Sequence, residues 1–353
     1  MDEFTKLATQ ELSEKQSWDL DKKVEYAKEK IREFVERIGG EDKAFVSFSG
    51  GKDSTVLLHI VRSIYPNIKA VFFDTRLEYP EIVEFVNNTE NVDILKPKKS
   101  FKEVWENQGI PIASKQISGF VNEVRTTKSK KLEDLRLNYK NTNFAISKRW
   151  LFLCDEEFIT YNISNKCCTY FKKNLSSDYI KETGRYPIVA TMANESNLRK
   201  TSWIRYSCNM FDNKKIQSRP LSIWLEDDIW AYIKKYNVEI CNLYYRGHTR
   251  TGCFCCPYGA HLKDKKTGTN RFEIMKEQHP KQYKALEKMG IRQVLLDMGV
   301  PIRNDEEYMK DLADRQKQIA QWYIRVGNDI AINGENSKYW KYHKYFEEKS
   351  DKE

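Results

Sequence analysis

Residues 44–61 have the sequence AFVSFSGGKDSTVLLHIV, and this stretch decides the fold. It begins with five mostly apolar, β-prone residues, continues through the glycine pair Gly50-Gly51, and becomes mostly apolar again after Ser54. That order predicts a strand, a tight loop and a helix. Residues 70–73, AVFF, predict a second strand. Two strands joined by a helix of this length form a parallel βαβ unit with a right-handed connection, so the first half of the chain is predicted to be α/β.

Helical patterns flank this α/β core. Residues 22–38 place apolar side chains on one face and stop at Gly39-Gly40, which predicts a helix that ends there. A further strand is predicted at 188–190, and a helix at 225–236 that has acidic residues in its first turn. From Arg271 onward the pattern is helical almost throughout.

The chain has 353 residues, enough for about two structural units. We predict an N-terminal helix in residues 1–40, an α/β domain in 41–268 and a helical C-terminal region in 269–353. No apolar run approaches the about 18 residues that a membrane helix needs, and the N-terminus lacks the pattern of an export signal. A soluble cytoplasmic protein without a membrane partner is therefore expected.

Basic residues are in excess. Lys and Arg number 60 against 51 Asp and Glu, a formal net charge of +9, which permits phosphate-rich partners without requiring them. The segment Arg125 to Lys140 contains six basic residues and two acidic ones. It suits a nucleic-acid partner, and it equally suits a solvated loop or helix.

The glycine turn is suited to binding an anion. Backbone N–H groups and a helix N-terminus converge there, and phosphate is the natural guest. Lys52 can neutralise its charge, Ser49 and Ser54 can donate hydrogen bonds, and Asp53 can fix Lys52 or a magnesium ion. The turn is not a Walker A loop, because its glycines are adjacent and Asp53 follows the lysine. An ordinary βα turn is the alternative.

Four motifs in order resemble one family. Residues 49–54, SGGKDS, resemble the PP-loop of ATP pyrophosphatases and sulfonucleotide reductases, and residues 73–81, FDTRLEYPE, resemble the second motif of phosphoadenosine phosphosulfate (PAPS) reductases. The remaining two motifs comprise Glu195-Ser196 with Arg199, and Arg219-Pro220-Leu221 with Trp224, Asp228 and Trp230. The chain therefore resembles the PAPS reductase family of the PP-loop adenine nucleotide alpha-hydrolase superfamily over about residues 44–261.

The resemblance implies a doubly wound parallel sheet that binds an adenine nucleotide at the carboxyl ends of its strands. It implies catalytic roles for Lys52, Asp53 and Arg199, the last of which would contact a phosphate or sulfonate. Arg199 could instead form an i, i+4 ion pair with Glu195. Arg76 departs from the glycine usual in the reductases. The nucleotide-binding residues implied are Ser49, Gly50, Gly51, Lys52, Asp53, Ser54, Asp74, Thr75 and Arg199.

Eight cysteines in a reducing compartment are expected to be thiols or metal ligands rather than disulfides. Cys253 and Cys256 have the C-x-x-C spacing at which two thiolates reach one metal or cluster. Cys167-Cys168 resembles the cysteine pair of the iron–sulfur adenylylsulfate reductases, whereas related PP-loop proteins place a lone cysteine where Cys208 lies. We favour Cys168, Cys208, Cys253 and Cys256 as ligands of a [4Fe–4S] cluster, with Cys167 as the substitute for Cys208 and zinc as the alternative metal. Cys154 and Cys241 are expected to be core residues.

The resemblance leaves three functions open. The reductases attack sulfur with a cysteine near the C-terminus, and no cysteine follows Cys256 in this chain. An ATP- and Mg²⁺-dependent sulfurtransferase is therefore favoured, which adenylates a tRNA, DNA or other acceptor, forms AMP and pyrophosphate, and takes sulfur from a donor such as a cysteine desulfurase. An adenylylsulfate or PAPS reductase that uses Cys255 as nucleophile, and a non-catalytic module that binds nucleotide and metal, are the alternatives.

Overall fold

The computed structural model describes residues 3–138, 143–212, 215–261, 263 and 267–346. The chain divides into two compact units, which we call unit one (residues 1–97 and 171–254) and unit two (98–170 and 255–353). The domain bounds predicted from the sequence, at residues 40 and 268, remain predictions. Within the described ranges, no helix combines the length and apolar character needed to cross a bilayer.

Unit one contains a six-stranded sheet in the order β3-β2-β1-β4-β6-β5. All neighbouring strands run parallel except β5, which pairs antiparallel with β6 at the edge. The predicted doubly wound α/β fold is confirmed, including the parallel pairing of the first two strands. The strands are β1 Ala44–Phe48, β2 Ala70–Phe73, β3 Val92–Leu95, β4 Tyr186–Val189, β5 Asn209–Asp212 and β6 Lys215–Ser218.

Both faces of the sheet are covered. Phe45 and Val46 are successive residues of β1, so their side chains point to opposite faces, and both are fully buried. On one face, Phe45 and Val71 pack against Tyr179. Burial on both faces is what makes the central strands almost continuously apolar.

Fourteen α-helices are present among the described residues, and those of residues 98–170 and 255–353 build unit two. In chain order they are α1 Glu3–Gln16, α2 Leu20–Ile38, α3 Lys52–Arg62, α4 Pro80–Asn87, α5 Phe101–Gln108, α6 Lys115–Thr126, α7 Lys130–Arg136, α8 Asn174–Thr183, α9 Asn197–Tyr206, α10 Glu226–Tyr236, α11 Arg271–Gln278, α12 Pro280–Lys288, α13 Ile291–Asp297 and α14 Glu306–Asn333.

The helix predicted at residues 22–38 is α2, which begins two residues earlier. The Asp19 side chain accepts a hydrogen bond from the Lys22 amide and caps the first turn. The helix ends at Gly39, whose φ of 97° places it in the left-handed region. The helical prediction for the chain after Arg271 is confirmed within the described residues.

The basic segment predicted as a loop or solvated helix forms the end of α6 and the whole of α7. Two of its cations have structural partners within unit two. The Arg125 guanidinium donates hydrogen bonds to the carbonyl oxygens of Leu153 and Tyr161, and Arg136 Nε lies 2.5 Å from a Glu123 carboxylate oxygen. Lys140 lies outside the described residues.

Candidate active site

At the centre of the sheet, the order in which successive strands are added switches from one side of β1 to the other. β1 lies between β2, which follows it in the chain, and β4, which returns on its other side. In an open α/β sheet, ligands bind outside the carboxyl ends of the strands at such a point. The loop of residues 49–51 leaves β1 there and leads into α3.

The loop is shaped by its own glycines and hydroxyl groups. Gly50 adopts φ +69°, a conformation that glycine reaches without strain. The Ser54 hydroxyl accepts a hydrogen bond from the Ser49 amide (3.1 Å) and donates one to the Gly51 carbonyl oxygen (2.9 Å). Gly51 has no side chain with which to cap α3, and the amide of the first helical residue, Lys52, donates instead to the Tyr244 hydroxyl oxygen.

Lys52 is almost completely buried and lies among acidic and aromatic groups. Its Nζ is 2.8 Å from a carboxylate oxygen of Asp53 and 3.4 Å from one of Glu226. The same nitrogen lies 5.8 Å from the centre of the Trp230 ring. Burial disfavours the charged form, but the carboxylates of Asp53 and Glu226 outweigh burial, so the pKa of Lys52 is raised. Lys52 therefore supplies a fixed positive charge beside the loop.

The loop after β2 adds a second set of polar groups. A carboxylate oxygen of Asp74 accepts a hydrogen bond from the Arg76 amide (2.7 Å), and the Thr75 hydroxyl donates one to Glu78 (2.9 Å). Arg76 has φ +62°, the left-handed conformation that favours glycine. The backbone at Arg76 is therefore of the kind that suits glycine, and the Asp74 carboxylate holds the turn in this chain.

Residues of the third and fourth motifs mainly form internal contacts. Arg199 forms an ion pair with Glu195, the pairing that the i, i+4 spacing allows. Arg219 donates a hydrogen bond to the Ser202 hydroxyl (2.6 Å). Asp228 accepts from the Leu225 amide and lies 2.6 Å from Lys23 Nζ. The fourth motif therefore ties α10 to α2, and the direct ligand contact expected of Arg199 remains a prediction.

Asp228→Asn is expected to lower the free energy of unfolding by about 1–2 kcal/mol, because it leaves the buried Lys23 ammonium without its counter-charge while keeping the side chain's shape. Denaturant unfolding measures the change. The matched control is Asp227→Asn, an exposed acidic residue in the same helical turn, which is expected to change the free energy of unfolding by less than about 0.5 kcal/mol. Equal losses in both variants would contradict this role for Asp228.

A cleft of about 810 Å³ lies in unit one beside the loop. Ser49 belongs to its lining together with apolar side chains at the ends of β1 and β2, including Phe48 and Phe73. Four lysines contribute to the wall, and Glu78, 3.9 Å from Lys172 Nζ, is an acidic lining residue. These lysines are Lys172, Lys173, Lys181 and Lys215.

The lysine wall was not predicted from the sequence. Partial burial lowers the pKa of Lys215, and the positive charges of Arg219 and Lys173 lower it further. These three cations therefore repel one another. An anion in the cleft would relieve this repulsion. The wall of the cleft is therefore cationic.

The cysteines fall in both units. In unit one, Cys208 Sγ is buried 3.2 Å from the Ser222 hydroxyl oxygen, and Cys253 Sγ lies 3.3 Å from the Thr75 hydroxyl oxygen. In unit two, Cys255 is fully buried. Cys154 and Cys241 are buried as predicted, and burial raises the pKa of the Cys154 thiol to about 12.

Three further cysteines act electrostatically on one phenol in unit two. Burial is the main reason that the pKa of Tyr258 is raised, and the charges of Cys167, Cys168 and Cys256 raise it further. No group of three His, Cys, Asp or Glu side chains in the described ranges is arranged to hold a metal ion. The predicted ligand set of Cys168, Cys208, Cys253 and Cys256 is therefore still a prediction.

The family model of the phosphoadenosine phosphosulfate reductase domain matches residues 43–258. The chain belongs to this family. The matched range contains β1 to β6, all four sequence motifs and the C-x-x-C pair. The family resemblance inferred from the motifs is thereby confirmed.

Three relatives show how far the similarity extends. An uncharacterised protein of Methanocaldococcus jannaschii is 25% identical over 64% of this chain and 44% of its own length. Sulfate adenylyltransferase subunit 2 of Aliivibrio fischeri is 26% identical over 58% of this chain and 60% of its own length. Adenosine 5′-phosphosulfate reductase of Staphylococcus haemolyticus is 24% identical over 64% of this chain and 74% of its own length. The chain thus spans about half the length of the first two relatives.

Family membership and structure together locate the predicted nucleotide residues. All of the predicted nucleotide-binding residues belong to unit one. Burial and the charge of Arg250 lower the pKa of Arg199, and the charge of Asp53 raises it, so Asp53 is close enough to Arg199 to affect it. Sequence reasoning missed three polar groups around the loop, namely Tyr244, Thr251 and Glu226. They lie about 170 to 200 positions from the loop in the chain, so no local motif could have indicated them.

Proposed function

We propose that unit one binds ATP in the cleft beside residues 49–54 and that the protein uses it to adenylate an acceptor for sulfur transfer. The observation that carries the proposal is the lysine-walled cleft that includes Ser49 of the phosphate loop. Apolar side chains such as Phe73 suit an adenine ring, and the lysines suit a polyphosphate. The names of two relatives, sulfate adenylyltransferase subunit 2 and adenosine 5′-phosphosulfate reductase, support an adenylyl-containing ligand.

The residues of the loop have defined tasks in this proposal. The amides at the start of α3 and the Lys52 ammonium stabilise negative charge as pyrophosphate departs, the electrostatic contribution that usually dominates such transfers. Asp53 keeps Lys52 charged and is a carboxylate to which nucleotide-bound Mg²⁺ can bind. Arg199 balances charge on the substrate once it exchanges its partner Glu195 for a phosphate.

We further propose that thiols of this chain hold an iron–sulfur cluster. The chemistry of the donor set fits such a group, because Cys167, Cys168 and Cys256 are soft thiol ligands of unit two, and all three raise the pKa of Tyr258. Cys253, three residues before Cys256, completes the C-x-x-C pair. Cys208, the fourth ligand predicted from the sequence with Cys167 as its substitute, contacts the Ser222 and Tyr26 hydroxyl groups through its Sγ in unit one. When bound, the cluster would supply a centre that accepts and donates sulfur.

Reduction of an adenylyl sulfate is a second candidate function. Cys253 Sγ lies beside Thr75, directly after β2, so a thiol is present at the nucleotide end of the sheet. Cys255, the nucleophile expected for a reductase, is fully buried and cannot reach a substrate without rearrangement. In a reductase, the Cys253 thiolate would attack the sulfonate sulfur and release AMP, and a thiol reductant would then free sulfite.

Two assays on one preparation separate these functions. With ATP, Mg²⁺ and either bulk tRNA or duplex DNA as acceptor, we expect AMP and pyrophosphate only when the acceptor is present. With adenylylsulfate or PAPS and a thiol reductant, we expect no sulfite. Sulfite release that disappears in Cys253→Ser would replace the ATP-dependent proposal with the reductase.

A third outcome decides for the non-catalytic alternative. Tight nucleotide binding with no AMP, pyrophosphate or sulfite under any of these conditions would indicate a regulatory module. The sulfur donor, for which a cysteine desulfurase is proposed, and the cytoplasmic location both remain predictions.

A further inference from the structure

The phosphate loop carries a contact that nucleotide binding would disturb. The backbone N–H of Lys52 donates a hydrogen bond to the Tyr244 hydroxyl oxygen at 3.0 Å. Lys52 is the first residue of α3, so its N–H has no acceptor within the helix. Such first-turn amides are the groups that bind phosphate at a helix N-terminus. Tyr244 and a phosphate oxygen are thus alternative acceptors for one N–H.

A second hydroxyl holds Tyr244 in this place. Thr251 Oγ1 lies 3.2 Å from the Tyr244 hydroxyl oxygen. A Cβ atom at Gly51 would lie 2.7 Å from Thr251 Oγ1 and 3.2 Å from the Tyr244 hydroxyl oxygen. Both hydroxyls therefore lie against the loop backbone at Gly51. The Tyr244 ring packs edge-on against Trp230, with 6.0 Å between the ring centres.

The chemistry of the two acceptors is unequal. Burial raises the pKa of Tyr244, so its hydroxyl is neutral at physiological pH. A hydrogen bond from an N–H to a charged phosphate oxygen is about twice as strong as one to a neutral oxygen. A nucleotide can therefore displace Tyr244, but part of its binding free energy is spent in doing so.

Two glycines with left-handed backbone lie in or beside the segment that carries both hydroxyls. Tyr244 ends the short 3₁₀ turn Asn242–Tyr244, and Gly247 follows with φ +90° and no atom within 4 Å of its would-be Cβ position. Gly252 has φ +136° and equally open surroundings. Gly247 lies within the stretch between Tyr244 and Thr251, and Gly252 directly follows it.

We propose that Tyr244 and Thr251 form a latch that competes with nucleotide phosphate for the Lys52 amide and thereby sets the affinity of the site. The inference rests on the proposed binding of ATP in unit one and adds a residue pair that limits it. Displacement of the latch by phosphate would move the Tyr244 and Thr251 hydroxyls away from the loop.

The test is calorimetric titration of MgATP, and separately of inorganic pyrophosphate, into full-length variants. Tyr244→Phe removes the competing hydroxyl and retains the ring against Trp230, so both Kd values are expected to fall about three- to tenfold, the effect of one net hydrogen bond. Thr251→Val removes the second hydroxyl and is expected to act in the same direction with a smaller change. The matched control is Tyr245→Phe, an exposed neighbour, for which Kd is expected to be unchanged.

The outcomes separate the latch from the nucleotide site itself. If wild type binds MgATP and both Tyr244→Phe and Thr251→Val bind it equally or more weakly, the latch is wrong and the ATP proposal stands. If wild type fails to bind but Tyr244→Phe binds, the latch is supported. If no variant binds either probe, the nucleotide proposal fails and the latch fails with it.

Discussion

Lys52→Ala is expected to weaken ATP binding by about 1.5–3 kcal/mol, or about ten- to 150-fold in Kd. Lys52 is almost wholly buried, and its charge is fixed by Asp53 and Glu226 next to the phosphate loop. Alanine removes the charge that a polyphosphate would meet and leaves the two carboxylates facing it. Calorimetry with MgATP measures the combined effect of the lost positive charge and the remaining carboxylates as one change in Kd.

The matched control is Lys69→Ala. Lys69 precedes β2 at the amino end of the strand and pairs with Asp93 at 3.1 Å, so it lies at the edge of the sheet opposite the loop. The Kd of this variant is expected to match the wild-type value. Equal affinity of wild type and Lys52→Ala, with both proteins folded by circular dichroism, would contradict the assignment of the phosphate site.

Cys256→Ser is expected to abolish iron–sulfur binding. Protein prepared without oxygen is expected to be brown and to contain about four iron and four sulfide per chain, and the variant is expected to lose both. The reason is that Cys256 belongs to the C-x-x-C pair and is one of the three cysteines whose charge raises the pKa of Tyr258. Iron and sulfide analysis with an absorption spectrum provides the measurement.

Cys154→Ala is the control within unit two. Its buried thiol, whose pKa is about 12, is not available as a thiolate ligand, so the variant is expected to keep its iron. The pair Cys167→Ser and Cys208→Ser identifies the remaining ligand, because only the true ligand costs iron when replaced. Colourless wild-type protein with about one zinc per chain would establish a structural zinc site instead.

The parts of the fold that the sequence predicted are those with a strong local pattern. β1, β2 and α2 follow from apolar runs, the glycine pair and the stop at Gly39. β3, β5 and β6 were missed, because these strands carry polar residues and lie toward the edges of the sheet. Pairing with a neighbour, rather than local propensity, makes such segments strands.

The site divides in the same way. The loop residues 49–54 could be predicted because they are contiguous and their chemistry depends on spacing. The lysine wall and the hydroxyls of Tyr244 and Thr251 could not, because distant segments bring them to the loop. Arg199 shows a further limit. The i, i+4 spacing of Glu195 and Arg199 is compatible with the predicted ligand contact of Arg199 and also with the ion pair that the structure contains.

The place of β1 in the sheet also affects how the chain acquires its structure during synthesis. β1 can pair with β2 as soon as residue 73 has been made, but its other edge pairs with β4, which lies about 140 positions later, Ala44 beside Tyr186. Until then one edge of this mostly apolar strand offers unpaired N–H and C=O groups to other chains. Pairings between such distant segments form slowly. Nascent chains that stop before residue 186 are therefore expected to be prone to aggregation. In these chains the unpaired edge of β1 would be exposed to a chaperone.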